Sequence, residues 1–140
     1  MAKGGKLIVF SAPSGSGKTT IVQHLLKQES LNLEFSVSAT SREPRGEEQH
    51  GKEYYFLSLS DFKTHMKQDD FLEWEEVYRD NFYGTLNSEI ERIWAMGKNV
   101  IFDIDVSGGL RIKRKYPGDA IMTISHESIY AYIYKHRQAS

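Results

Sequence analysis

The sequence predicts an α/β fold, a parallel sheet with helices on both faces into which a subdomain of strands and a short helix is inserted. Three observations predict it. Leu7-Ile-Val-Phe10 is a continuous apolar run, the pattern of a buried parallel strand, and Ser-Ala-Pro-Ser-Gly-Ser-Gly17 ends it. Directly after that loop, Ile21, Val22, Leu25 and Leu26 recur at helical spacing. The second half repeats the rhythm: Leu86, Ile90, Ile93 and Trp94 form a helical stripe, Val100 to Ile104 a buried strand, Val106 to Tyr116 a helix halted by Pro117, and Ala120 to Ile124 a last strand.

The intervening segment follows other rules. Phe35 to Ser41 and Tyr54 to Leu59 read as strands separated by a polar stretch with Pro44, Gly46 and Gly51. Ser60 is the expected N-cap of a short helix carrying Phe62 and Met66; Phe71 to Tyr78 reads as a strand and Asn81 to Gly84 as a turn. Gly97 is the expected stop of the helix that follows. The expected division is a core of residues 1–34 and 86–124, an inserted subdomain of residues 35–85, and a tail of residues 125–140.

Composition excludes several classes. Leu, Ile, Val and Phe supply 34 of 140 residues, about a quarter, and the formal charge is −1, which is not the composition of a disordered chain. The same near-neutral charge argues against a nucleic-acid binder, so an anion must be held by local geometry. There is no cysteine, which removes disulfides and thiolate metal sites. The apolar run at residues 7–10 is too short for a signal-peptide core or a spanning helix, so the reading is a soluble, cytoplasmic protein with no membrane partner. The five histidines show no metal-ligand spacing, and Arg111, Lys113, Arg114 and Lys115 read as the wet face of a helix.

Ala12-Pro-Ser14-Gly15-Ser16-Gly17-Lys18-Thr19 fits G-x-x-x-x-G-K-[ST] except that Ala12 stands at the first glycine. Gly15 and Gly17 permit backbone turns that aim N–H groups inward, and the helix that follows adds its positive end, so Ser14 to Thr20 can cradle a polyphosphate such as that of ATP. Lys18 would reach the β- and γ-phosphates and the Thr19 hydroxyl would ligate Mg²⁺, with Asp103, at the end of the second buried strand, near that ion through water. This context, strand then glycine loop then helix, makes the core one of P-loop NTPase type.

The polar excursion carries a second signal. Thr40-Ser-Arg42-Glu-Pro-Arg45-Gly-Glu-Glu48-Gln-His-Gly51-Lys-Glu-Tyr54-Tyr-Phe56 resembles the guanylate kinase signature without a break, and Ser-Ala-Pro-Ser-Gly-x-Gly-Lys agrees with that family at Ala12. Phe71-Leu-Glu73-Trp74, Asn81-Phe-Tyr83-Gly84 and Asp103-Ile-Asp105 resemble its later landmarks. The resemblance runs from residue 6 to about residue 122. It implies transfer of the γ-phosphoryl group of ATP to GMP, giving ADP and GDP with Mg²⁺, by a chain whose small-molecule partners are those two nucleotides.

Residue chemistry agrees with what the resemblance implies. Arg42 and Arg45 offer forked donors to the GMP phosphate, and the Tyr54 and Tyr83 hydroxyls add neutral hydrogen bonds. With Lys18, the two arginines are the expected catalytic groups. Glu73 can accept both N1–H and the exocyclic amine of guanine, while Ser38 and Thr85 can donate to O6; Asp103 and Asp105 either organise Mg²⁺ and its waters or touch GMP. A noncatalytic guanylate-kinase-like module that recognises phosphorylated partners is the alternative, and intact Gly17, Lys18 and Thr19 favour the enzyme. Monomer and homodimer are both open.

After Ile124 the resemblance stops. The family continues with a lid bearing arginines that stabilise the transferring group, whereas Ile124-Ser-His-Glu-Ser-Ile-Tyr is similar to a segment of insertion-element transposases and is expected to be helical. The expectation is an incomplete core and, without lid arginines, an inactive or much slowed truncated fragment.

Overall fold

A computed structural model describes residues 5–11, 18–104, 106–118 and 120–124; of Ser11, Lys18, Thr19, Ile21, Asp103 and residues 120–124 the backbone alone is described. The elements are β1 (Leu7–Ser11), α1 (Lys18–Leu26), β2 (Leu33–Phe35), β3 (Ala39–Thr40), β4 (Tyr55–Phe56), α2 (Leu59–Lys67), β5 (Phe71–Tyr78), β6 (Asn81–Leu86), α3 (Asn87–Ala95), β7 (Asn99–Asp103), α4 (Val106–Lys115) and β8 (Ala120–Ile124). They form two compact units, Met1–Phe35 with Ile93–Ser140, and Ser36–Arg92. The second division falls inside α3.

The first unit holds a parallel sheet in the order β2-β7-β1-β8. Strand alternation explains why both faces of β1 are apolar. Ile8 and Phe10 pack with Val22, Leu25 and Leu26 of α1 and with Leu33, Phe35 and Ile101, while Leu7 and Val9, on the opposite face, are fully buried. The strand starts are fixed by one side chain. Asn99 accepts the Lys6 N–H at 2.8 Å and donates to the Leu31 carbonyl at 3.1 Å, joining the entrances of β1, β7 and β2. Gly97, at φ +73°, ends the last turn of α3 as expected, a conformation in which a Cβ is strained.

The second unit holds a mixed sheet in the order β4-β3-β6-β5, with β3 parallel to β4 and antiparallel to β6. Its core is aromatic: Phe62 of α2 is wholly buried and stacks on Phe71 at 4.4 Å and Phe82 at 5.4 Å, with Ala39, Leu57 and Met66 around them.

Three local expectations are corrected here. Asn81 to Gly84 is not a turn but the body of β6, paired with β5 from Tyr78↔Asn81 to Phe71↔Leu86; the reversal lies just before it, where Asp80 adopts φ +63°. Gly84 is in the strand because a Cβ there would lie 2.9 Å from the Glu73 carbonyl oxygen and 2.9 Å from the Phe71 ring. The expected strand from Phe35 to Ser41 is two short ones in different sheets, β2 and β3, since the chain crosses between the units at Ser36. The N-cap of α2 is Ser58, whose Oγ accepts the Asp61 N–H at 3.0 Å, and not Ser60.

Candidate functional site

The second unit gathers most of the residues singled out from the sequence, and the backbone explains how. Alternation along β6 sends Phe82 and Leu86 into the aromatic core and leaves Tyr83 and Thr85 on the opposite face. At the end of β3, the buried Thr40 donates its hydroxyl to the Phe82 carbonyl at 2.9 Å and accepts the Arg42 N–H at 3.2 Å. Ser41 Oγ donates to the Asp80 carbonyl at 2.8 Å and accepts the Phe82 N–H at 2.9 Å. The Thr-Ser pair therefore stitches the root of Arg42 to β6.

Arg42 sits among aromatic rings. Its guanidinium carbon lies 5.0 Å from the centre of the Tyr54 ring and 5.8 Å from that of Phe56, and its Nε donates to Tyr83 Oη at 3.1 Å. The Tyr54 and Tyr83 rings meet edge to face at 5.8 Å. Burial, then the neighbouring Tyr83, holds the Tyr54 phenol above the usual range, so its hydroxyl stays a neutral donor.

The fork of Arg42 is already engaged. Nη1 donates to Glu48 Oε1 at 2.8 Å and to the Glu43 carbonyl at 2.9 Å, and Nη2 donates to Glu48 Oε2 at 3.0 Å. Glu48 also accepts the Arg45 backbone N–H at 2.8 Å, which ties the second arginine's root to the first; the Arg45 side chain itself is exposed. The Arg42 hydrogen bond first, and the Arg45 N–H second, lower the Glu48 carboxyl to about 2. Glu48, in turn, raises the Arg42 guanidinium further above its ordinary value.

Glu73 and Thr85 face each other across β5 and β6, and the Thr85 hydroxyl donates to Glu73 Oε1 at 3.3 Å. Thr85 is wholly buried. Tyr83 and Thr85 are two residues apart on one strand, about 7 Å, so the carboxylate and hydroxyl pair lies one pleat along from the arginine and tyrosine group. Ser38 is half-buried just ahead of β3, its carbonyl accepting the Tyr55 N–H at 2.8 Å.

Sequence reasoning missed two acidic partners. Glu48 belongs to the quoted motif but received no role; its position six residues after Arg42 and three after Arg45 was the available signal. Glu89 is 3% exposed, on α3 beside Ile90. It accepts from the Val37 N–H, the Tyr55 hydroxyl and the Arg92 guanidinium. Burial opposes its ionisation, but the Arg92, Val37 and Tyr55 hydrogen bonds outweigh burial and keep its carboxyl below the usual range. Nothing in the helical pattern distinguishes it from an exposed glutamate.

The remaining candidates belong to the first unit or lie beyond what is described. Lys18, Thr19 and Thr20 form the opening turn of α1. Asp103 ends β7, paired in register with Phe10 of β1. Ser14, Gly15, Ser16, Gly17 and Asp105, with the tail of residues 125–140, lie outside the described residues. Among the described residues no group of three His, Cys, Asp or Glu side chains is arranged to hold a metal, and no helix is long and apolar enough to cross a membrane.

Taken together, these features define an α/β protein with a parallel-sheet core and a mixed-sheet unit that concentrates the polar machinery. The guanylate kinase family model matches residues 4–137. The chain is 59% identical over 119 residues to a guanylate kinase of Porphyromonas gingivalis, covering 85% of this chain and 63% of the relative. It is 56% identical over 120 residues to one of Bacteroides thetaiotaomicron, covering 86% and 58%. The crystal structure of guanylate kinase from Anaplasma phagocytophilum superposes with a TM-score of 0.70 at 29% identity, covering 86% of this chain and 59% of that one. The chain belongs to the guanylate kinase family, and it spans about three fifths of the length of these relatives.

Proposed function

We propose that the chain carries guanylate kinase chemistry: transfer of the γ-phosphoryl group of ATP to the phosphate of GMP, giving ADP and GDP. The observation that carries this reading is the polar face of β6, where Tyr83 meets Arg42 and, one pleat on, Thr85 meets Glu73. A mononucleotide laid along that face has its phosphate at the arginine and tyrosine end and its base at the carboxylate. Glu73 accepts from N1–H and the 2-amino group of guanine, a donor pair that adenine lacks; Ser38 donates to O6, and so does Thr85 when its hydroxyl turns from Glu73 to the base. Tyr54, Tyr83 and Arg45 join Arg42 on the phosphate.

Donor binding falls to the residues around α1. Ser14, Gly15, Ser16, Gly17, Lys18, Thr19 and Thr20 bind the ATP phosphates in this reading, with backbone N–H groups and the helix N-terminus matching their charge. Thr19 would ligate Mg²⁺, with Asp103 holding it through water, and the ion when bound neutralises developing charge on the phosphoryl oxygens. Support for their proximity is the backbone order: α1 follows β1, and the end of β1 is in register with Asp103. The family membership supports both nucleotides and the cytoplasmic setting.

Calorimetry with GMP and with Mg-ATP, beside a coupled assay of ADP release, tests the reading. GMP binding is the expected result, and turnover in the coupled assay would extend it to the full reaction. The absence of both binding and turnover would end the proposal. Glu73→Gln should narrow the preference for GMP over AMP by about tenfold or more, the loss of a hydrogen-bonded charge of ~1.5–3 kcal/mol. An unchanged preference would place the base elsewhere.

A further inference from the structure

Residues 36–38 belong to no strand, although they lead directly into β3. What holds them instead is a closed ring of hydrogen bonds. Glu89 Oε1 accepts the Val37 N–H at 2.8 Å, the carbonyl of the following residue, Ser38, accepts the Tyr55 N–H at 2.8 Å, and the Tyr55 hydroxyl returns to Glu89 Oε2 at 2.8 Å. Arg92 grips the same carboxylate from outside, Nε at 2.8 Å to Oε2 and Nη2 at 3.0 Å to Oε1. All the principal acceptor directions of a side chain 3% exposed are thus used.

Burying a carboxylate is unfavourable compared with an apolar residue of the same size, and Ile90 and Ile93 beside it show that α3 supplies apolar packing freely. What an aliphatic side chain cannot do is fix the backbone on both sides of one peptide unit. A hydroxyl that reads a base must be held to about 0.5 Å, and Ser38 has no full ladder to hold it. We propose that Glu89 and Tyr55 are positioning residues that set the Ser38 hydroxyl for recognition of the 6-oxo group of the purine. The proposal rests on the guanine-binding reading above and adds to it residues with no expected contact to the nucleotide.

The test compares GMP, IMP and AMP binding by calorimetry, with AMP measured by competition. IMP shares the 6-oxo group with GMP and lacks the 2-amino group; AMP lacks both. Tyr55→Phe keeps the ring that packs near Phe62 and removes only the link to Glu89. It should weaken GMP and IMP together by about 5–10-fold, the value of one hydrogen bond, and leave AMP unchanged, while the GMP to IMP ratio, which reports on Glu73, stays at the wild-type value. Ser38→Ala should give the same pattern, and the double variant should be no worse than Ser38→Ala alone. Glu89→Gln, which keeps the shape with one acceptor oxygen, should show the same split. Equal weakening of all three ligands, additive effects in the double variant, or an unchanged GMP to AMP ratio would each overturn the proposal. Wild-type protein without any preference for GMP over AMP would instead remove the guanine reading on which it rests.

Discussion

A guanidinium has five N–H groups, and Arg42 commits four of them to Tyr83, Glu43 and Glu48. Its guanidinium is thus held in place by the protein's own groups, whereas the Arg45 side chain is exposed. The Glu48 carboxyl, lowered to about 2 by Arg42, has a testable consequence. In the unfolded chain it titrates near 4.5, so the unfolded state takes up the proton first as pH falls. The stabilisation is therefore complete above about pH 5 and lost as pH falls toward 2. Urea unfolding of wild type and Glu48→Gln should show a stability difference at pH 6 that shrinks by pH 3; a difference independent of pH would mean the carboxylate charge is not what matters. Arg42 stands out in the sequence because it lies in a dense motif, and Glu73 and Tyr83 stand out as later landmarks of the same resemblance. Glu89 does not, because a buried acid and an exposed one look alike in a helical pattern, and only the fold reveals Val37 and Tyr55 as its partners.

At the scale of elements, the β5–β6 hairpin is what puts a carboxylate opposite a hydroxyl. Its register depends on the absence of a side chain at Gly84, where the Glu73 carbonyl and the Phe71 ring already occupy the space of a Cβ. Gly84→Ala should destabilise the protein by about 1–3 kcal/mol, as overpacking of a close contact does. It should also weaken GMP binding, because the displaced atoms belong to the peptide of Glu73. Thermal melting and calorimetry on the same variant check both parts; a lower melting temperature with unaltered GMP affinity would show that the register tolerates the shift. This hairpin was half legible. Phe71 to Tyr78 announced a strand by composition, but Asn81 and Gly84 carry turn signals, and their role in β6 comes from a close approach of another strand that local preference cannot encode.

For the molecule as a whole, the parallel sheet was the easier half to read. Runs such as Leu7 to Phe10 and Val100 to Phe102 meet apolar neighbours on both faces, the first half-buried at Ile8 and Phe10, and so are apolar throughout. The mixed sheet, built from strands as short as two residues, leaves almost no periodic trace. The candidate donor residues around Lys18 and the candidate acceptor residues from Ser38 to Thr85 fall in different compact units. Lys18→Ala should accordingly abolish ATP binding or phosphoryl transfer while GMP binding stays largely intact; calorimetry with each nucleotide distinguishes this from equal loss of both, which would indicate misfolding. The unit from Ser36 to Arg92 has a further property. Val37, near its first residue, and Glu89, near its last, are joined at 2.8 Å, so the segment is stapled shut at its own base. A stretch of chain whose ends already meet can be lengthened, traded or redesigned over descent without rewriting the strands on either side. Such a stretch is in that sense a cassette, exchangeable as one contiguous piece.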